Sequence, residues 1–264
     1  MTPHAPHSPP RSAEVHDAWE AIPGSPEATL ALCCEHASAR IPAPWTTTPA
    51  DAPWMGTHWA IDLGARALTL GLAKALGAPA VLSRFSRLLC DANRPESAPD
   101  LCRPEVEGHP LSFNVGVDAA ERQRRLDRFH RPYHAQIDHM LNTHRPRLLF
   151  SVHTFTPVYI GAPRSVQVGV LFDLHDELAA RFADLLQPLD LRTELNQPWS
   201  GKAGLAFSPD LHGRKAGIPY LELEVRQDLL ATPGQVEQLT GPMALALAEL
   251  CAGLPEVHQG PASS

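Results

Sequence analysis

A chain of 264 residues, 44% of them hydrophobic, can bury a sizeable core, and without a break in composition it predicts one domain rather than two. The formal net charge of −7 argues against general nucleic-acid binding, which needs a basic face. Five cysteines, an odd number without zinc-knuckle spacing, argue against a disulfide framework and read as buried thiols.

Residues 1–26 are rich in Pro, His, Ser and Ala without periodicity, which predicts a disordered or loosely attached arm. Residues 255–264 read as a similar tail, leaving a single domain over 27–254. The start lacks the apolar centre of a signal peptide, and no apolar run reaches the ~18 residues that span a bilayer. A cytoplasmic protein that does not engage a membrane is therefore expected.

The first predicted strand, 29–34, ends on Glu35-His36. A long proline-containing loop, 37–56, precedes a helix over 57–76, with Ile61, Leu68 and Leu72 on one face and Gly77 as its stop. A short strand follows at 80–83, then an irregular rim at 97–117. A charged helix is predicted over 118–144 with Asp118 as its cap. The run from Leu149 to Thr156 reads as a buried strand that delivers His153 to its carboxyl end, stopped by Pro157. A strand at 166–172, a helix at 177–186, a loop at 191–204, a strand at 220–226 and a closing helix at 233–250 complete the chain. Strands alternating with helices predict an α/β fold, a mostly parallel (mixed) central sheet sandwiched by helices. In such sheets ligands bind in the crevice at the carboxyl ends of the strands.

Chemistry gathers at those ends. His36 and His153 each offer one ring nitrogen to a metal while a neighbour holds the other. A catalytic zinc takes three protein ligands and an open position. Asp62 is the expected third ligand, because a carboxylate complements two neutral imidazoles; Glu35 and His58 are the alternatives. Glu222 and Glu224 lie on one side of their strand, opposite Leu221 and Leu223. A carboxylate inside an apolar strand is costly unless paired or used. Arg226, on the same side, offers the ion pair; the other reading makes Glu224 a general base. Arg87, Asn93 and Arg94 suit a substrate carboxylate, which a guanidinium fork binds through two oxygens. Arg226 is added to that substrate-binding set. His212 and Asn196, in late loops, are further candidates as donors to an oxyanion or to substrate.

Six segments, in order, resemble the motifs of the N-formylglutamate amidohydrolase family. They are Cys34-Glu35-His36-Ala37-Ser38, Ser86-Arg87-Leu88 continuing through Asp91-Ala92-Asn93-Arg94-Pro95-Glu96, His153-Thr154-Phe155-Thr156-Pro157, Asn196-Gln197-Pro198-Trp199-Ser200-Gly201, His212, and Glu224-Val225-Arg226-Gln227-Asp228. The resemblance implies a zinc-carboxypeptidase-like fold, with His36 as the first and His153 as the last metal histidine, Asn93 and Arg94 on a substrate carboxylate, and Glu224 as the catalytic glutamate. Carboxypeptidases use His-x-x-Glu, whereas Ala39 stands three residues after His36, so the third ligand comes from elsewhere. The implied reaction is zinc-dependent hydrolysis of a small carboxylate-bearing N-acyl amino acid. N-formyl-L-glutamate, cleaved to formate and glutamate in histidine degradation, is the first choice. His212 is then expected to stabilise the oxyanion. The alternatives are a zinc amidase or peptidase acting on a peptide or cell-wall fragment, and a binding protein of the same fold without activity. The oligomeric state is left open.

Overall fold

The computed structural model describes residues 13–255. Its centre is an eight-stranded mixed sheet: β1 (Glu14–Val15), β2 (Trp19–Ile22), β3 (Leu30–Cys34), β4 (Ala80–Ser83), β5 (Leu148–Phe155), β6 (Val168–Leu171), β7 (Thr193–Leu195) and β8 (Tyr220–Arg226). Their spatial order is β1-β2-β4-β3-β5-β8-β6-β7. The four central strands, β4, β3, β5 and β8, run parallel. β6 is antiparallel to β8, and β2 is antiparallel to β4. The α/β architecture is as the alternation of elements predicts.

The expected loose arm is corrected in part. β2 pairs with β4 along its whole length, Trp19 opposite Ser83 through Ile22 opposite Ala80, so this segment covers the edge that β4 would otherwise expose. Its four residues are too few to show a period. The rest of the arm, 1–12, and the tail beyond Pro255 lie outside the described residues.

Both faces of the sheet are covered. Helices α1 (Ala65–Leu76), α4 (Asp176–Leu185) and α6 (Pro233–Ala252) cover one, packing Leu68, Leu72, Phe182 and Leu247 against Leu32, Phe150 and Leu223. The other lies under α2 (Ala119–Arg125), α3 (Arg131–His144), α5 (Phe207–Ala216) and the long 84–118 segment, with Phe85, Phe129, Tyr133 and Ile137 at its centre. Being buried on both faces explains why β3 reads as a continuous apolar run and why β5 is apolar apart from Ser151, His153 and Thr154. No helix among the described residues is long and apolar enough to cross a membrane.

Three expected elements differ. The 57–76 helix begins only at Ala65, because Gly64 adopts φ +87° and a Cβ there would fall 2.5 Å from the Leu230 Cβ. The 118–144 helix is capped by Asp118 as expected, but its middle, Leu126–His130, widens into π geometry between α2 and α3. The loop expected at 191–204 contains β7, which pairs parallel with β6.

Candidate active site

Alternation along the strands assembles the site. In β8, Leu221, Leu223 and Val225 enter the core beneath α1 and α6, which turns Glu222 and Glu224 to the opposite face. In β5, Phe150 and Val152 face that same core and leave Ser151 and His153 beside the two acids. The register pairs Glu222 with Ser151 and Glu224 with His153. Glu35 and His36 arrive directly after β3, the next strand over.

Asp62 enters from the turn before α1. Its backbone N–H donates to the His36 carbonyl at 3.1 Å, and its Oδ2 accepts from the Thr154 N–H at 3.2 Å. That oxygen lies 2.9 Å from His153 Nδ1 and 3.4 Å from His36 Nδ1, and the three residues each offer a ligand atom within 4.8 Å of the others. The other ring nitrogens are held by carboxylates: His36 Nε2 is 2.7 Å from Asp91 Oδ1, and His153 Nε2 is 2.9 Å from Glu35 Oε2. Such outer carboxylates orient metal-binding imidazoles and raise their basicity.

The electrostatics favour a cation at this point. Five buried carboxylates, Glu35, Asp62, Asp91, Glu222 and Glu224, surround the two imidazoles. Arg87, 26% exposed, reaches Asp91 at 3.1 Å and Asp62 at 3.4 Å. Burial disfavours a charged His153, yet the charge of Glu222 and the contacts with Asp62 and Glu35 outweigh it and raise the ring well above its ordinary value. For Glu224, burial and the nearby charges of Asp62 and Glu222 push the carboxyl well above the usual range. Its Oε2 is buried and has no hydrogen-bond partner among the described residues. Two imidazole nitrogens, a shared carboxylate oxygen and an orphaned acid fit a divalent metal of the zinc type.

Above this acidic floor opens a pocket of about 230 Å³. It falls below the ~300–1,000 Å³ common for small-molecule sites. Its rim carries four guanidinium groups, from Arg87, Arg94, Arg103 and Arg164.

The structure brings together His36, Asp62, His153, Glu224, Arg87, Asn93 and Arg94, all of which line the pocket. Asn93 also donates to Glu222 Oε2 at 3.3 Å and accepts from the Ser208 N–H at 2.9 Å, which fixes its amide. Glu35 sits behind the histidines, bonded to Ser151 at 2.6 Å, as a support rather than the third donor. His58 lines the pocket without joining the metal-competent trio.

Three expected site residues lie elsewhere. His212 is on α5, with Nδ1 2.8 Å from Asp138 and Nε2 2.7 Å from His134, so both ring nitrogens are taken and neither faces the pocket. Asn196 uses its Oδ1 to accept from the Phe172 and Gly201 N–H groups, tying down the loop that carries Trp199. Arg226 does not pair with Glu224. It binds Asp228 at 2.8 Å and donates to the carbonyls of Arg164 and Val166.

Sequence reasoning missed Arg164 and Arg103, and it named Asp91 as part of a motif, without a role at the histidines. The sequence carries a signal for Asp91, since its own motif places it two residues before Asn93, whose backbone N–H it accepts at 2.9 Å. Arg164 carries none, because an arginine in a proline-flanked turn looks like any solvated residue.

Comparison with known proteins gives a consistent result. The profile of the family described as N-formylglutamate amidohydrolase matches residues 28–231. No curated protein matches the chain. Among solved structures, the gene product Atu2144 from Agrobacterium tumefaciens is similar at 28% identity and a TM-score of 0.84, over 90% of this chain and 96% of that one. The N-formylglutamate amidohydrolase from Ralstonia eutropha JMP134 shares the fold at 16% identity and a TM-score of 0.70, over 90% and 98%. The profile spans every residue of the metal-competent cluster and most of the sheet, and the chain belongs to the N-formylglutamate amidohydrolase family.

Proposed function

We propose that the protein is a metal-dependent amidohydrolase acting on a small N-acyl amino acid, with hydrolysis of N-formyl-L-glutamate to formate and L-glutamate as its specific reaction. The observation that carries this reading is the convergence of His36 Nδ1, His153 Nδ1 and Asp62 Oδ2 beside the unpartnered Glu224 Oε2. His36, Asp62 and His153 would hold the metal, with zinc favoured by the donor set. A divalent cation at such a site supplies polarisation of a carbonyl and activation of water near neutral pH.

The residues of the chain supply the rest. Glu224, ionised and with its Oε2 free of other partners, accepts a proton from the attacking water and delivers it to the leaving nitrogen as the amide C–N bond breaks. Arg94, beside the fixed amide of Asn93, binds a substrate carboxylate through its fork. Arg87 stays paired with Asp62 and Asp91 and fixes their orientation. The small pocket favours an amino-acid derivative over a peptide or cell-wall strand, which needs an open groove.

Metal analysis of the purified protein, coupled to assays of formate, acetate and peptide release, tests the reading. About one zinc per chain and selective formate release are expected. Preference for an extended peptide, or turnover unaffected by complete metal removal, overturns it.

A further inference from the structure

Each of the other three guanidinium groups at the pocket already has a carboxylate. Arg87 is paired with Asp62 and Asp91, while Arg94 and Arg103 share Asp100, each at 3.4 Å. Arg164 has no carboxylate within ion-pair distance among the described residues. Its one hydrogen bond is from Nη1 to the Thr156 carbonyl at 3.3 Å, which leaves most of its fork unused.

The group is held in place all the same. Its guanidinium carbon lies 4.6 Å from the ring centre of Tyr159 and 4.8 Å from that of Trp199, whose rings meet edge to face at 5.7 Å. Phe155 adds a third ring at 5.5 Å. Aromatic faces attract a cation without using its N–H donors, so the fork stays available to a ligand. The backbone beneath is anchored as well: the Arg164 N–H donates to the Pro157 carbonyl at 2.8 Å, and Arg226 donates to the Arg164 carbonyl at 2.9 Å. A half-buried cation, fixed at a pocket wall and without a carboxylate in ion-pair contact among the described residues, is preorganised for an anion from elsewhere.

We propose that Arg164, caged by Tyr159, Trp199 and Phe155, binds a second carboxylate on the substrate and so restricts the pocket to N-acyl derivatives of dicarboxylic amino acids. The assignment rests on the reading of the pocket as an N-acyl amino acid site. It adds that one carboxylate meets Arg94 and the side-chain carboxylate meets Arg164. Arg226 is then a positioning residue that acts through the Arg164 carbonyl.

The test compares N-formyl-L-glutamate with N-formyl-L-glutamine, which has the same shape without the second charge. Arg164→Gln is expected to raise KM for the glutamate compound by about 10–100-fold, the cost of a lost charge-assisted hydrogen bond, with kcat much less affected. Its effect on the glutamine compound should be at least about tenfold smaller, and Arg164→Lys should recover part of the preference. Equal losses on both substrates, or a loss confined to kcat, overturn the proposal. Calorimetric binding of glutarate and glutaramate to wild type and to Arg164→Gln reads the same subsite without turnover. Selective weakening of glutarate supports the proposal even if no formate is released, a result that would sink the amidohydrolase reading alone. Equal affinity of the two proteins for glutarate overturns the assignment of Arg164.

Discussion

Buried acids are costly unless each has a partner or a task, and the tasks here can be separated residue by residue. Glu35 and Asp91 hold imidazoles, Asp62 joins them, and Glu224 is left with a free oxygen facing the pocket. Glu224→Gln keeps the shape and removes the proton acceptor. Turnover should fall by about 10²–10⁴-fold, the usual share of a general acid–base group, while metal content by atomic spectroscopy stays near one per chain. Loss of metal along with activity would contradict the assignment. Asp91→Asn should do the opposite, weakening zinc affinity by about 10–100-fold, as read by competition with a chromophoric chelator. Of these residues, His153 and Glu224 were legible because polar groups interrupting apolar strands are conspicuous. Asp62 stands out only through the need for a third ligand, since its placement depends on a turn that brings its N–H to the His36 carbonyl. His212 looked equally functional in the sequence, but pairing with His134 and Asp138 is a tertiary fact.

At the scale of elements, the parity of β8 was the clearest signal in the chain, with Leu221 and Leu223 alternating with Glu222 and Glu224. Apolar periodicity runs on through Ile61 and so predicts too early a start for α1, whereas Gly64 and its contact with Leu230 depend on a partner more than 150 residues away. β1 and β2 carry no readable signal, because strands of two and four residues show no period. The closing helix is legible from Pro233 onward, and the structure adds a full capping box at Thr232. Thr232 accepts from the Gln235 N–H, and Gln235 accepts from the Thr232 N–H. Thr232→Ala should therefore lower stability by about 1 kcal/mol, seen as a shift in the denaturant midpoint with an unchanged slope and unchanged metal content. A change smaller than measurement error would show that the box contributes nothing.

For the molecule as a whole, the site is where three neighbouring parallel strands, β3, β5 and β8, deliver acids and imidazoles to one end of the sheet. Binding at that centre should couple to global stability, because a ligand that binds only the folded state stabilises it by about 2.7 kcal/mol at a hundred times its Kd. Exhaustive chelation should thus lower the melting temperature, and added zinc should restore it, whereas magnesium at equal concentration should not. An identical melting curve before and after chelation would count against a metal centre among these residues. The sheet also separates two kinds of change. Inserting one residue ahead of Glu222 would swap the acidic lane of β8 for its leucine lane and dismantle the centre. The Tyr159–Pro163 turn beside it lies outside the main sheet, in a two-stranded hairpin of its own. Its length and tip can vary without disturbing the strands that hold the cluster, so ligand preference can drift while the bond-breaking apparatus stays put.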